Sequence, residues 1–110
     1  MDNYEVSFQL ILNAGNAKSK AITAIEEARN FNFEKAEQLV SEAKKDLRLA
    51  HDSHARLIQK EASGEKTEVN ALFVHAEDHL SSAVLLLDLA EEFIHLYKLF
   101  NQFIEGGVRK

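Results

Sequence analysis

Apolar residues recur at alternating spacings of four and three along most of the chain, which is the period of an α-helix with one buried stripe. This pattern predicts three helices, at about residues 5–30, 33–60 and 68–104. The stripe of the first helix is mostly alanine, so we expect its neighbours to approach closely. It comprises Leu10, Ala14, Ala17, Ala21, Ala24 and Ala28, widened by Ile11, Ile22 and Ile25. The sequence predicts an all-α fold, an antiparallel three-helix bundle in a single domain that spans residues 1–110.

Two breaks separate the predicted helices, and one glycine interrupts the first helix. Asn32 lies in an Asn-Phe-Asn-Phe break and is a plausible N-cap for the second helix. Residues 61–67 form the second break, with Gly64 as the turn residue and Thr67 as a possible cap for the third helix. Gly15 costs up to about 1 kcal/mol relative to alanine within a helix. It indicates a kink or a tight helix crossing, unless it has a direct part in an active site.

The second helix has one apolar stripe, whereas the third helix has two adjacent stripes. The second-helix stripe comprises Ala36, Val40, Ala43, Leu47, Ala50, His54 and Leu57. The first stripe of the third helix comprises Val69, Phe73, Ala76, Leu80, Ala83, Leu87, Ala90, Ile94 and Tyr97. The second comprises Leu72, His75, His79, Ser82, Leu86, Leu89, Phe93, Leu96 and Phe100, with Leu85 and Leu99 at its margin. A helix in a three-helix bundle needs to bury only one stripe, so the surplus predicts self-association through the third helix. We expect the tail, residues 105–110, to fray.

The third helix also carries the candidate chemistry, at His75, Asp78 and His79. His79 lies roughly 40° from His75 around the helix, and Asp78 lies roughly 60° to its other side. The three polar side chains therefore share one otherwise apolar face, where they need partners, a metal or a chemical task. From spacing alone, the cluster fits a metal site, a nucleophilic or acid–base histidine, or a hydrogen-bonded network. His54, on the second-helix stripe, is interpreted as a hydrogen-bonded core or interface residue.

Composition narrows the classes of function. The formal charge of -5 and the lack of a basic stripe argue against nucleic-acid binding. The chain has no cysteine, which excludes disulfides, thiolate metal sites and cysteine nucleophiles. Residues 1–5 do not resemble the start of a signal peptide, and the longest apolar run, residues 83–87, is far shorter than the roughly 20 residues that span a bilayer. We therefore expect a soluble, cytoplasmic protein.

Three segments of the chain carry a family resemblance. They are residues 13–19, Asn-Ala-Gly-Asn-Ala-Lys-Ser; residues 57–65, Leu-Ile-Gln-Lys-Glu-Ala-Ser-Gly-Glu; and residues 74–80, Val-His-Ala-Glu-Asp-His-Leu, followed by Asp-Leu-Ala at 88–90 and Leu-Tyr-Lys at 96–98. Over nearly its whole length, the chain resembles the enzyme IIA component of the lactose/cellobiose (Lac) family of the bacterial sugar phosphotransferase system. The chain departs from the family pattern in two places: Glu77 stands where the family often has Gln, and Ser81-Ser82 stands where Met-Thr is common.

The resemblance implies a phosphocarrier that assembles into a nine-helix homotrimer. His75 matches the histidine that accepts a phosphoryl group on Nε2, the tele nitrogen, from phospho-HPr. That histidine passes the group to a cysteine of the cognate enzyme IIB, for uptake of a β-disaccharide such as lactose, cellobiose or chitobiose.

Two further residues match the family's site. Asp78 matches the aspartate that three subunits present to one shared metal ion on the trimer axis, and oxygen-only ligation favours a hard ion, so Mg²⁺ is expected. His79 matches a second histidine with an orienting or packing role. The alternative is a noncatalytic, metal-stabilised helical oligomer that acts as a scaffold or regulator.

Overall fold

The protein is a bundle of three long α-helices. The computed structural model describes residues 3–64 and 71–108, in which α1 spans Asn3–Arg29, α2 spans Phe33–Ala62 and α3 spans Ala71–Val108. Consecutive helices run antiparallel, so α1 and α3 point the same way. Because a helix rises about 1.5 Å per residue, the bundle is a rod with extents of 67 × 20 × 18 Å. The all-α, three-helix fold predicted from the sequence is confirmed.

The core is built mainly from small side chains. All six residues of the predicted α1 stripe are fully buried, and they meet residues of the predicted stripes on the other two helices. The buried partners are Ala36, Val40, Ala43 and Ala50 of α2, and Ala76, Leu80, Ala83, Leu87, Ala90 and Ile94 of α3. Ile22 is exposed, so its predicted place beside the stripe is wrong. It lies roughly 100° around the helix from Ala21, outside the sector that α2 and α3 cover.

A backbone hydrogen-bond motif closes the turn between α1 and α2, at the predicted N-cap residue of α2. Phe31 adopts a left-handed conformation, with φ of 63°. Its N–H bonds the carbonyl of Ala28, and the N–H of Asn32 bonds the carbonyl of Glu27, each at 2.9 Å, as in a Schellman motif. The Asn32 side chain makes no capping hydrogen bond and instead donates to the Glu27 carboxylate at 2.9 Å. Asn32 is confirmed as the N-cap residue of α2, because its carbonyl accepts from the N–H of Ala36 at 3.0 Å, but its side chain does not supply a cap.

Ion pairs join α2 to its two neighbours. Lys20 Nζ of α1 lies 2.6 Å from Asp46 of α2, and Lys44 of α2 lies 3.1 Å from Glu91 of α3. The Lys98–Glu37 pair joins α3 to the start of α2. Residue numbers rise along α3 as they fall along α2, which fixes the antiparallel register. Beyond Lys98, α3 continues past the α1–α2 turn.

The helix ends differ from the predicted ends by a few residues. The sequence predicts that the third helix ends at about residue 104, whereas α3 continues to Val108 and Gly106 keeps a helical backbone. Fraying of the tail stays a prediction. Gly64 has φ of 91° and is confirmed as a turn residue. Thr67 and the predicted start of the third helix lie outside the described residues, as do residues 109–110.

Gly15 lies within an unbroken α1. No atom lies within 4 Å of the position that its Cβ would take, so the predicted tight crossing is wrong within this chain.

The part of the chain that the structure describes also contains no helix with the length and apolarity to span a bilayer.

Candidate histidine site

Two histidines meet on the outer edge of α3, near its start. The buried residues Ala76 and Leu80 hold this part of α3 in the core, so His75 and His79, each one position earlier, lie at the edge of the buried face. Their Nε2 atoms are 3.1 Å apart, and their rings meet edge to face with centroids 4.5 Å apart. His75 is exposed, whereas His79 is half-buried. One ring must donate an N–H in this contact and the other must accept with a lone pair.

The surroundings of His79 decide which ring donates. Its other nitrogen, Nδ1, is buried and has no hydrogen-bond partner among the described residues. A buried N–H without an acceptor costs roughly 1–3 kcal/mol, and orphaned N–H groups are rarer than orphaned acceptors. We therefore assign the proton of neutral His79 to Nε2, from which it is donated to His75. His75 then carries its proton on Nδ1 and an exposed lone pair on Nε2.

The pKa of His79 supports a neutral ring. Burial lowers this pKa from its usual value of 6.5, and the Lys18 ammonium on α1 and the neighbouring His75 act in the same direction. Asp78 acts in the opposite direction without reversing the shift. Lys18 is half-buried and is the contribution of α1 to the site, which spacing along α3 gave no means to identify.

Asp78 shares the face of the two histidines but does not join their contact. Its side chain is exposed, while its backbone carbonyl accepts a 2.9 Å hydrogen bond from the Ser82 hydroxyl. Among residues 3–64 and 71–108 of one chain, no three His, Asp or Glu side chains converge as a metal site would require. The structure therefore brings His75 and His79 together and leaves Asp78 as a single oxygen donor beside them.

Glu77 projects toward α2, away from His75. One of its carboxylate oxygens is buried and lies 2.9 Å from His54 Nε2. The oxygen has no hydrogen bond among the described residues, so this ion-pair contact lacks an aligned N–H. The separation of roughly 160° around the helix between Glu77 and His75 follows from spacing alone. The contact with His54 does not, because it depends on how α2 and α3 align.

The family comparison agrees with this arrangement. The family model described as "PTS system, Lactose/Cellobiose specific IIA subunit" matches residues 5–98. The chain belongs to this IIA family of the phosphotransferase system. The resemblance carried by the three sequence segments is confirmed, and the protein is a phosphotransferase component.

Relatives of this IIA subunit match over most of their length. The lichenan-specific phosphotransferase enzyme IIA component of Bacillus subtilis is 44% identical over 94 residues, which are 86% of each chain. The crystal structure of the PTS cellobiose-specific enzyme IIA from Bacillus anthracis is 43% identical and covers 93% of this chain and 94% of its own, with a TM-score of 0.89. A solution structure of the IIA(Chitobiose)–HPr complex from Escherichia coli is 28% identical, covers 92% and 99%, and has a TM-score of 0.73.

Proposed function

We propose that this IIA subunit carries a phosphoryl group on His75 Nε2, accepting it from phospho-HPr and passing it to a cysteine of the enzyme IIB of the same sugar system. The observation that carries the proposal is the His75–His79 contact, in which an exposed Nε2 lone pair is held in place by an N–H donor. The structural relative that is solved as a complex with HPr supports the choice of donor.

The transfer needs few changes at the site. The hydrogen bond from His79 breaks first, because it uses the single lone pair on His75 Nε2. That lone pair then attacks the phosphorus of phospho-HPr in line with the bond that breaks. The electron pair of that bond returns to HPr as the new P–Nε2 bond forms, and Nδ1 of His75 keeps its proton throughout. Once the P–Nε2 bond has formed, Nε2 of His75 can no longer accept a hydrogen bond. The N–H at Nε2 of His79 then donates to an oxygen of the bound phosphoryl group. In the next transfer, a cysteine thiolate of enzyme IIB attacks the same phosphorus; as the P–S bond forms, the P–Nε2 bond breaks and its electron pair returns to His75 Nε2.

The exposure of His75 supports a carrier role. A group that is passed between proteins must be reached from solvent by each partner, and His75 lies in the open beside the exposed Val74. A small helical subunit suffices because phosphoryl transfer depends mainly on alignment and charge stabilisation, part of which a docked partner supplies.

Phosphorylation by a purified relay tests the proposal. The protein is incubated with phosphoenolpyruvate, enzyme I and HPr, and intact mass is measured at neutral pH for the wild type, His75→Ala and His95→Ala. His95 is an exposed histidine on the same helix and serves as the matched control. We expect one added phosphoryl group on the wild type and on His95→Ala, and none on His75→Ala. An unmodified wild type beside demonstrably phosphorylated HPr would overturn the proposal.

We propose that the sugar system served by this subunit transports a β-disaccharide such as lactose, cellobiose or chitobiose. Relatives that are named for cellobiose and for chitobiose support this class. Pairing the phosphorylated subunit with candidate IIB proteins and measuring transfer to each would identify the cognate system.

We further propose a homotrimer built on α3. Its support is a stripe on the outer face of α3 whose members are spaced four and three, the repeat of a coiled-coil seam. The stripe, which we call the outer seam, comprises Asp78, Ser82, Leu85, Leu89, Glu92, Leu96, Leu99 and Phe103. Its apolar members are exposed, up to 79% for Phe103, and an apolar strip of this length favours association. Three copies would give a nine-helix bundle.

Asp78 would hold the metal in this assembly. One chain offers one carboxylate at this place, so a shared ion needs Asp78 from three copies. Three carboxylates that meet at an axis repel one another unless a cation neutralises them, and oxygen ligands fit a hard ion such as Mg²⁺. The alternative function, a metal-stabilised scaffold or regulator, would use Asp78 without His75. The phosphorylation experiment separates the two functions.

A further inference from the structure

Large apolar side chains are exposed on the first turns of α1. Tyr4 is 53% exposed and Phe8 is 60% exposed, one turn apart on the same side of the helix. Most of the other exposed apolar side chains near the start of the bundle are aliphatic. Two neighbouring aromatic rings in water have a solvation cost that neither the core nor any described contact explains.

Contacts between the helices place these rings at the level of the histidine site. Lys20 of α1 pairs with Asp46 of α2, and His54, eight residues further along α2, lies beside Glu77 of α3. Because α1 and α2 are antiparallel, the level of Glu77 corresponds to about residue 12 of α1. Phe8 lies one turn before residue 12 of α1. It is therefore level with the turn of α3 that precedes Glu77 and contains His75.

The rotation of α1 places Phe8 on the side toward α3. Phe8 lies roughly 80° around the helix from Lys18, whose charge reaches His79, and roughly 120° from Lys20, which pairs with α2. Phe8 therefore belongs to the outer surface that α1 and α3 share, where His75 is also exposed.

We infer that Phe8, with Tyr4 beside it, is the apolar anchor by which the phosphoryl donor, phospho-HPr, docks over His75. This inference rests on the proposed function. A donor must bring its phosphorus within bonding distance of His75 Nε2, so it covers the surrounding surface. A standard interface covers about 800 Å² on each partner, a disc about 16 Å in radius, and packed helix axes are about 8–10 Å apart. A footprint centred on His75 therefore includes the adjacent turns of α1. Exposed aromatic side chains at such positions commonly dominate binding energy.

The test separates docking from chemistry. Initial rates of phosphoryl transfer from ³²P-labelled phospho-HPr are measured against phospho-HPr concentration for the wild type, Phe8→Ala, Tyr4→Ala and Leu49→Ala. Leu49 is 53% exposed on α2 and provides a matched apolar truncation away from His75. We expect KM to rise about tenfold or more for Phe8→Ala, and by a smaller factor for Tyr4→Ala, with kcat unchanged. Leu49→Ala should behave as the wild type.

Unfolding midpoints and oligomeric state are measured on the same variants. An unchanged KM for both aromatic variants would overturn the inference. A lower unfolding midpoint, or dissociation into smaller species, at unchanged KM would also overturn it, because Phe8 would then pack within the chain or against a second copy. A wild type that accepts no phosphoryl group would instead defeat the proposed function itself.

Discussion

His75 and His79 have the same side chain in different surroundings, and in the proposed transfer this difference gives each a separate task. The exposed ring offers a lone pair at Nε2, while the half-buried ring, with its second nitrogen sealed from water, offers an N–H to it. A proton on Nε2 of His75 would block attack at that atom. The hydrogen bond from His79 therefore selects the reactive tautomer as well as the orientation of the ring.

Removal of the His79 ring should slow transfer without abolishing it. A hydrogen bond to a charged group contributes about 1.5–3 kcal/mol, and 1.4 kcal/mol is a factor of ten. We expect His79→Ala to transfer about 10 to 100 times more slowly than the wild type, measured by rapid quench with labelled phospho-HPr. His95→Ala, the exposed control on α3, should keep the wild-type rate. Equal rates for His79→Ala and His95→Ala would show that the contact has no part in transfer.

Spacing along one helix predicted part of this site. It predicted that His75, Asp78 and His79 share a face, as they do. It did not reveal that Nδ1 of His79 is sealed, because that depends on what α1 places over the ring, nor that Lys18 lies close enough to affect its pKa. The hydrophobic period along one helix does not tell which residues of different helices come into contact.

At the scale of the helices, the alanine stripe of α1 sets how closely α2 and α3 approach. Its five alanines are fully buried, so there is no room for a larger side chain at these positions without moving a helix. Overpacking of a well-packed core costs about 1–3 kcal/mol.

We expect Ala21→Leu to lower the free energy of unfolding by about 1–3 kcal/mol, measured by urea denaturation, because the added side chain has to displace α2 or α3. Ala55→Leu makes the same change at an exposed position of α2 and should alter stability by less than about 0.5 kcal/mol. A neutral Ala21→Leu would mean that the core has unfilled space beside the stripe.

Periodicity predicted the helices and their buried stripes well, since burial of one face imposes the period on the sequence. It predicted the helix ends less well. Phe31 takes a left-handed conformation that glycine or asparagine more often adopts, and its ring contacts Phe33 and Phe100, with centroids 5.9 Å and 6.3 Å away. These contacts fix the turn through tertiary packing, which local turn signals do not describe.

For the whole molecule, the outer seam of α3 leaves five large apolar side chains exposed on a single chain: Leu85, Leu89, Leu96, Leu99 and Phe103. The outer seam already carries one carboxylate in its apolar part, at Glu92. A second carboxylate at position 89 would replace an apolar contact and repel Glu92 one turn further along the same helix, so it opposes association. If the wild type is the proposed homotrimer, we expect Leu89→Asp to yield folded monomers, with the wild-type helical content by circular dichroism and one third of the wild-type mass by light scattering. Leu49→Asp, which introduces the same charge on the outer face of α2, should remain trimeric. A Leu89→Asp protein with the wild-type mass would place the interface elsewhere.

Removal of the metal should weaken the same assembly. If three Asp78 carboxylates share an ion, removal of that ion by EDTA leaves three negative charges that repel one another. The dissociation constant of the proposed wild-type trimer should therefore rise after EDTA treatment. Asp78→Asn lacks the charges and should be insensitive to EDTA, bind no stoichiometric metal by elemental analysis, and still accept a phosphoryl group. An Asp78→Asn trimer that keeps its metal and loses only phosphorylation would contradict this assignment.

The open position of His75 has a kinetic consequence. One atom on a convex helical edge can face only one protein at a time, so a subunit that serves a donor and an acceptor through that atom has to release the first before it meets the second. Exchange of this kind obeys ping-pong kinetics, and each partner competes with the other. Spent HPr that lingers on the surface delays delivery to enzyme IIB, so the speed of the relay depends on fast dissociation, and tighter binding would make it slower.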